Sequence, residues 1–125
     1  MSVGIDLMAD RTPDSPLPTA AFHILIALAD RDRHGYSIMQ DVAARTEGKV
    51  TLSPGTLYSA VRRMLEQGLI EELSHSPDPS STDERRRYYR LTDDGTSALK
   101  QELDRMEAIV KRSKTLRLRP SELAS

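Results

Sequence analysis

One stretch of this 125-residue chain, SPGTLYSAVRRMLEQG, carries helix signals at both ends. Ser53 suits an N-cap because its hydroxyl can accept a first-turn N–H, and Pro54 suits the next position because an N–H there would lack a partner. Gly68 is a typical residue for ending a helix. Between these ends the apolar residues repeat at helical spacing and predict one inward stripe. The stripe consists of Leu57, Val61, Met64 and Leu65.

Two other helices are predicted before this one. The first begins at Pro18 and the second covers Tyr36–Thr46, with a polar run between them and a stop at Gly48. The inward residues of the first are Phe22, Leu25, Ile26 and Ala29. Those of the second are Ile38 or Met39, Val42 and Ala43.

After Gly68 the periodicity changes from helical to alternating. LIEELSH and RRYYRL predict two short strands, and the Pro/Ser/Asp stretch that joins them favours a loop, so together they predict a β-hairpin. Alternation along the second strand places Tyr89 inward with Leu91. Tyr88 and Arg90 then take the opposite face.

The last predicted helix is capped by Thr92, with Asp93 and Asp94 in the first turn, where negative charge suits the helix dipole. Its apolar residues are spaced four, three and four apart, which is typical of a narrow helix–helix seam. This seam and two residues of the first helix predict a homodimer interface. The predicted interface residues are Phe22, Leu25, Leu99, Leu103, Met106 and Val110.

The order helix, helix, helix, hairpin, helix predicts a mainly α fold with a small β-hairpin. Residues 17–91 are expected to form a winged helix-turn-helix DNA-binding domain, and residues 92–112 a C-terminal dimerisation helix. Residues 1–16 and 113–125 are expected to be a flexible arm and a flexible tail, because neither shows a sustained hydrophobic period.

The net charge of −1 conceals an uneven distribution. Four arginines, Arg85, Arg86, Arg87 and Arg90, fall within six positions near the predicted hairpin tip, and a basic cluster of this kind is a local footprint for nucleic acid. The third helix carries hydroxyls and arginines away from its apolar stripe. Arginine binds guanine edges and phosphates, and hydroxyls bond phosphate oxygens. The predicted DNA contacts are Ser53, Thr56, Tyr58, Ser59, Arg62, Arg63, Arg85, Arg86 and Arg87.

Plainer interpretations of the same residues stay open from sequence. The helix face could be simply solvated, the hairpin arginines could serve solubility, and Tyr58 fits the edge of a core as well as a DNA contact. If the helix binds DNA, we expect Thr56, Ser59 and Arg62 nearer the bases. Tyr58, Arg63 and the hairpin arginines would then mainly contact phosphates or the minor groove.

Residue types for metal binding or covalent catalysis are scarce. The absence of cysteine removes disulfides, thiolate ligands and thiol nucleophiles. His23, His34 and His75 are predicted on different elements, so we expect no metal site, no cofactor and no enzyme. No apolar run is long enough to cross a bilayer and the N-terminus lacks a signal pattern, so a cytoplasmic protein without a membrane partner is expected.

Three stretches of the chain resemble the PadR family of transcriptional regulators. They are AAFHILIALADRDRHGYSIMQDVAART, LSPGTLYSAVRRMLEQGLIEE and DERRRYYRLTDDG, and the resemblance covers about residues 17–112. It implies a homodimeric, usually repressing protein that binds double-stranded DNA and packs its C-terminal helix on the partner protomer. The single last helix is similar to that of the short-C-terminus members.

The resemblance also implies a small aromatic or cationic effector, expected in the cleft between the dimerisation helix and the winged domain. The chain has no tryptophan, so it departs from relatives that hold flat drugs between tryptophans. A different class of function stays open: a winged-helix protein–protein module without DNA affinity, docking through the Leu99–Val110 helix. RNA binding is less favoured because no exposed aromatic platform is apparent.

Overall fold

The computed structural model describes residues 15–74 and 87–118. In chain order its elements are α1 Thr19–Asp30, β1 Arg33–His34, α2 Gly35–Arg45, α3 Pro54–Glu66, β2 Ile70–Glu72, β3 Tyr88–Leu91 and α4 Asp93–Ser113. Three helices followed by a strand pair form the predicted winged helix-turn-helix, in a mainly α fold with a small antiparallel sheet. Most of the predicted arm, the hairpin loop with Arg85 and Arg86, and the end of the predicted tail lie outside the described residues.

Helix α1 lies at the centre of the domain and packs against α2, α3, α4 and β3. Ile24 and Ala27 are fully buried, although the predicted stripe did not include them, and Ala29, which it did include, is exposed. A single apolar stripe is expected when a helix packs against other elements on one side only. Because α1 is covered on several sides, its buried residues extend around most of its circumference.

Helix α3 begins and is buried as its sequence predicts. The Ser53 hydroxyl accepts the Thr56 backbone N–H at 3.1 Å, and Pro54 is the first helical residue. Gly68 follows the helix at a φ of +75°, a left-handed conformation that glycine adopts at no steric cost. The inward stripe is buried at Leu57, Val61 and Met64 and half-buried at Leu65. Both ends and the buried side of α3 are therefore confirmed.

The sheet has three strands where a two-stranded hairpin was predicted. The unpredicted strand β1 pairs antiparallel with β3, with His34 opposite Tyr88, and β2 pairs with the other edge of β3. Tyr88 was expected on the face opposite Tyr89, and on that face it is buried, with the His34 imidazole meeting its ring edge-on at 5.2 Å. Tyr89 is buried on the other face, as predicted.

The first turn of α4 is joined to the turn that follows α3. Thr92 caps α4 by accepting the Gly95 N–H at 3.0 Å, and its hydroxyl donates to the Gly68 carbonyl at 2.6 Å. The Thr92 N–H donates to the Leu69 carbonyl at 3.1 Å. Farther along α4, the buried Glu102 carboxylate accepts the Leu17 N–H at 3.2 Å and so ties the helix to the start of α1. The orientation of α4 on the winged domain is fixed at these two points.

Gly95 allows this close approach because it has no side chain. A Cβ at this position would lie 2.0 Å from the Leu69 carbonyl oxygen and 2.8 Å from Leu91 Cδ1. We expect Gly95→Ala to lower the free energy of unfolding by about 1–3 kcal/mol, because backbone must move to admit the methyl group. Urea unfolding at one fixed protein concentration measures the change.

Gly55→Ala is the matched control, since a Cβ at this helical glycine would have no neighbour within 4 Å. It should raise the free energy of unfolding by roughly 0.5–1 kcal/mol, because alanine loses less backbone entropy in a helix. A Gly95→Ala variant as stable as the parent would contradict the close approach of α4 to Leu69.

Candidate nucleic-acid interface

The side of α3 opposite its buried stripe carries hydroxyl and guanidinium groups. At 3.6 residues per turn, Ser59 lies almost directly opposite the stripe. Tyr58 and Arg62 lie on one flank, and Thr56 and Arg63 lie on the other. All five residues are exposed. The helix therefore presents a polar and basic face, and the burial of the stripe determines which residues belong to it.

The arginines of this face form no ion pair with the residues that the structure describes. Among the residues of the winged domain that the structure describes, Arg62 and Arg63 lie near no carboxylate within ion-pair distance. The other described arginines of the domain lie 2.7 to 3.9 Å from a carboxylate oxygen. Those paired residues are Arg31, Arg33, Arg45, Arg87 and Arg90. A phosphate or a guanine could thus meet Arg62 and Arg63 without displacing an acidic partner.

Arg33 illustrates the structural use of the same side chain. Its Nε donates to the Ala27 carbonyl and its Nη1 to the Ser37 hydroxyl, each at 3.0 Å. Its Nη2 pairs with Asp30 at 2.7 Å and with Asp41 at 3.1 Å. Arg33 therefore ties the end of α1 to α2. Its guanidinium is committed to the fold, whereas those of Arg62 and Arg63 are not.

The hydroxyl groups at the start of α3 have different roles. Ser53 accepts the Thr56 N–H and donates to the Thr56 hydroxyl oxygen, both at 3.1 Å. Its hydroxyl is therefore used to begin the helix. Thr56 is exposed and keeps its own hydroxyl proton as a donor toward solvent. Of the two predicted contacts, Thr56 is better placed to bond a nucleic acid, and Ser53 positions it.

A groove of about 780 Å³ runs along one flank of α3. One wall is the segment before α1 and the first turn of α1, and the other is α3 itself. The groove brings together four of the predicted DNA contacts, namely Ser53, Thr56, Ser59 and Arg63. Tyr58 and Arg62 lie outside it. The predicted set is therefore divided between the groove side and the opposite flank of the helix.

Tyr58 packs at the edge of the core and also stays accessible to DNA, so both interpretations from sequence apply to it. Its side chain lies over Gly35, the first residue of α2, and the residue is still 47% exposed. Burial raises the pKa of the Tyr89 hydroxyl on β3, the Glu72 carboxylate and the Tyr58 hydroxyl raise it further, and Arg87 opposes them. The Tyr58 phenol therefore rests on the start of α2, and its hydroxyl interacts electrostatically with that of Tyr89 on β3.

The wing is the hairpin of β2 and β3. Arg87, immediately before β3, has a side chain that is 72% exposed, and its Nε lies 3.9 Å from a Glu72 carboxylate oxygen. This is a long, solvated pair that contributes little to stability, so the arginine can turn toward another anion. Arg90 pairs with Asp32 at 3.1 Å and braces the sheet instead. Arg85 and Arg86 lie outside the described residues.

Helix α4 carries apolar side chains that the hydrophobic core of the single chain does not cover. Its first part is buried at Ala98, Leu99 and Glu102, and the same side continues with apolar residues that are 36 to 54% exposed. These exposed residues are Leu103, Met106, Ile109 and Val110. Ile109 was missed from sequence, although its spacing of three from Met106 was a usable signal. The stripe is a surface of the size and pattern that a second helix covers.

Two residues predicted at the dimer interface belong to the core instead. Leu25 is fully buried and Leu99 is 6% exposed within the single chain. Both residues are covered by their own chain in this structure, and a contribution of either one to a dimer interface stays a prediction. Phe22 is half-buried at the edge of the core and keeps part of its ring accessible.

The described residues hold neither a metal-binding cluster nor a membrane-spanning helix. Across residues 15–74 and 87–118, no three His, Cys, Asp or Glu side chains are grouped so as to hold a metal ion. None of the helices described is both long and apolar enough to cross a membrane.

Comparisons with known proteins give a family match and structural relatives. The model of the Transcriptional regulator PadR-like family matches residues 24–101. A PadR family transcription regulator from Clostridium difficile R20291 is 29% identical, with a TM-score of 0.65 over 78% of this chain and 96% of that one. Bordetella bronchiseptica BpsR, whose DNA binding is regulated by 6-hydroxynicotinic acid, is 25% identical, with a TM-score of 0.63 over 90% of this chain and 71% of its own. An uncharacterized Lysinibacillus sphaericus protein is 33% identical over 76 residues, covering 61% of this chain and 67% of that one.

Proposed function

The chain belongs to the PadR-like family of transcriptional regulators, and we propose that it acts as a homodimeric repressor on an inverted-repeat operator in double-stranded DNA. Family members are transcription regulators and not enzymes. The observation that carries the proposal is the pair of exposed arginines, Arg62 and Arg63, which have no ion-pair partner among the described residues and lie on a helix with a defined start and stop. The cytoplasm is its proposed location, since its DNA target would lie there.

The outward face of α3 is proposed to lie in the DNA major groove. Two such helices related by a two-fold axis would meet successive major grooves about 34–36 Å apart, so half-sites would be about one helical turn apart. Thr56, Ser59 and Arg62 are assigned nearer the bases, with Ser53 fixing the helix start. Phosphate or minor-groove contact is assigned to the remaining members of the predicted set, namely Tyr58, Arg63, Arg85, Arg86 and Arg87.

Base contacts and phosphate contacts are separable by their dependence on sequence and salt. Arg62→Ala should cost about 1–3 kcal/mol of operator binding and relax preference at one operator position, whereas Arg87→Ala should weaken all sequences alike and reduce the salt slope by about one unit. Gel shifts with DNA from upstream of the protein's own gene, across a salt series, measure both. Lys100→Ala on α4 is the control, since it removes the same charge from outside the proposed site.

One result would remove DNA binding from this face. If Arg62→Ala, Arg63→Ala and a triple Arg85–Arg87 alanine variant all bind the operator like the parent, α3 and the wing do not contact DNA. The winged-helix protein–protein module would then be the better proposal.

The homodimer is proposed to form through α4, with Phe22 of α1 contributing. Burying an exposed Leu, Met, Ile or Val side chain is worth about 1.5–3 kcal/mol, so a chain that leaves all four exposed is strongly disfavoured. Leu103→Asp combined with Met106→Asp should therefore yield monomers by light scattering. Ala108→Asp, on the opposite side of α4, is the control and should leave the dimer intact. A dimer that survives the double substitution would exclude this helix face from the interface.

A small-molecule effector is proposed as a further partner. The support is the resemblance and the regulation of BpsR by 6-hydroxynicotinic acid. The expected cleft lay between α4 and the winged domain, whereas the groove described above lies between the start of α1 and α3. A ligand in this groove would touch Arg63 and Ser59 and compete directly with DNA.

Calorimetry tests for such an effector with 6-hydroxynicotinic acid and a panel of aromatic and cationic compounds. We expect binding by at least one compound and loss of that binding in Arg63→Ala if the ligand is anionic. A panel without any binding would leave a repressor controlled by another input.

A further inference from the structure

Gly35 is required for space and not for its backbone conformation. The described glycines with a left-handed φ are Gly48 and Gly68, so Gly35 adopts angles that other residues also adopt. A Cβ at Gly35 would lie 2.3 Å from Tyr58 Oη, 2.9 Å from Tyr58 Cζ and 3.2 Å from Leu57 Cδ2. The phenol of Tyr58 therefore rests directly on the backbone of Gly35, a contact that we call the Tyr58 seat.

The Tyr58 seat lies where the parts of the DNA-binding domain converge. Gly35 begins α2 immediately after β1, and the preceding residue, His34, caps α2 by accepting the Ser37 N–H at its Nδ1 at 3.1 Å. His34 is also the strand partner of Tyr88 in the wing. A displacement of Gly35 would thus be passed both to α2 and to β3.

The Tyr58 seat is connected to the wing through β1, which directly precedes Gly35 and pairs with β3. Tyr89 on β3 is buried, and its hydroxyl interacts electrostatically with that of Tyr58 and with Arg87. Arg33 is the strand partner of Tyr89 and is itself fixed by its four donors to α1 and α2. The ring of Tyr58 thus lies on the first residue of α2, next to the strand β1 that pairs with the wing strand β3.

We propose that Tyr58 is a positioning residue whose ring, seated on Gly35, sets the wing relative to α3 so that both can contact one DNA duplex. This role rests on the proposed function and differs from a phosphate contact by the Tyr58 hydroxyl. A phosphate contact requires the hydroxyl, whereas positioning requires the ring and the empty space above Gly35. Tyr58→Phe keeps the ring and removes the hydroxyl, and Gly35→Ala leaves Tyr58 intact and fills its seat.

The first test is a double-mutant cycle on operator affinity. Gly35→Ala should weaken operator binding by about threefold or more when Tyr58 is present. The same substitution should have a much smaller effect in a Tyr58→Ala background, because the clash with the ring is gone and only the 3.2 Å approach to Leu57 Cδ2 remains. Equal losses in both backgrounds, or parent-like binding by Gly35→Ala, would overturn the proposal.

The second test asks whether the seat controls the wing, which a merely stabilising contact would not do. Arg87→Ala should weaken operator binding less in the Gly35→Ala background than in the parent, because a displaced wing has already lost its DNA contact. The factor by which Arg87→Ala weakens binding should be about threefold or more smaller in the Gly35→Ala background. In Tyr58→Phe, Arg87→Ala should keep its full effect, because the ring remains seated. Additive effects of Gly35→Ala and Arg87→Ala would overturn the proposal.

Thermal unfolding of each variant shows whether Gly35→Ala folds. If Gly35→Ala does not fold, Tyr58→Ala takes its place in the double-mutant cycle with Arg87→Ala. The effect of Arg87→Ala on binding should then be smaller in the Tyr58→Ala background and unchanged in the Tyr58→Phe background. A parent protein that does not bind the operator at all overturns both this role and the proposed function. If the parent binds the operator but the substitutions in each cycle have additive effects, only the positioning role is overturned.

Discussion

Burial of Leu57, Val61 and Met64 against the central helix α1 determines what α3 can present to another molecule. Three inward side chains at helical spacing fix the rotation of the helix about its axis, and the cap at Ser53 and the stop at Gly68 fix its ends. With rotation and ends fixed, the outward residues are also fixed. The candidate site is therefore a consequence of the core, and no separate structural device is needed to expose it.

The arrangement of charge explains how a chain with a net charge of −1 can present a basic face. Carboxylates form ion pairs with the arginines that stabilise the fold, such as Arg33 between α1 and α2 and Arg90 at the base of the sheet. Arg62 and Arg63 receive none from the described residues. Local imbalance, and not total charge, sets the potential that an approaching polyanion meets at short range.

Local signals were predictable from sequence, and contacts made by distant segments were not. The caps at Ser53 and Thr92 depend on a few neighbouring residues, so their chemistry can be read directly. Strand β1 has two residues, Arg33–His34, too short to show alternation, and its pairing with β3 is what buries Tyr88. Spacing shows that Leu25 is inward, but not which neighbour covers it, and in this structure its own chain does.

Two copies of α3 in successive major grooves should lie a fixed distance apart. Because the chain has no cysteine, Glu66→Cys at the exposed last residue of α3 gives one spin-label site in each protomer. Pulsed electron paramagnetic resonance on the operator complex should give a distance distribution close to about 34–36 Å, broadened by the length of the labels. The absence of dipolar coupling on the operator, or a distance far outside this range, would contradict a two-fold dimer that inserts both helices into one side of the duplex.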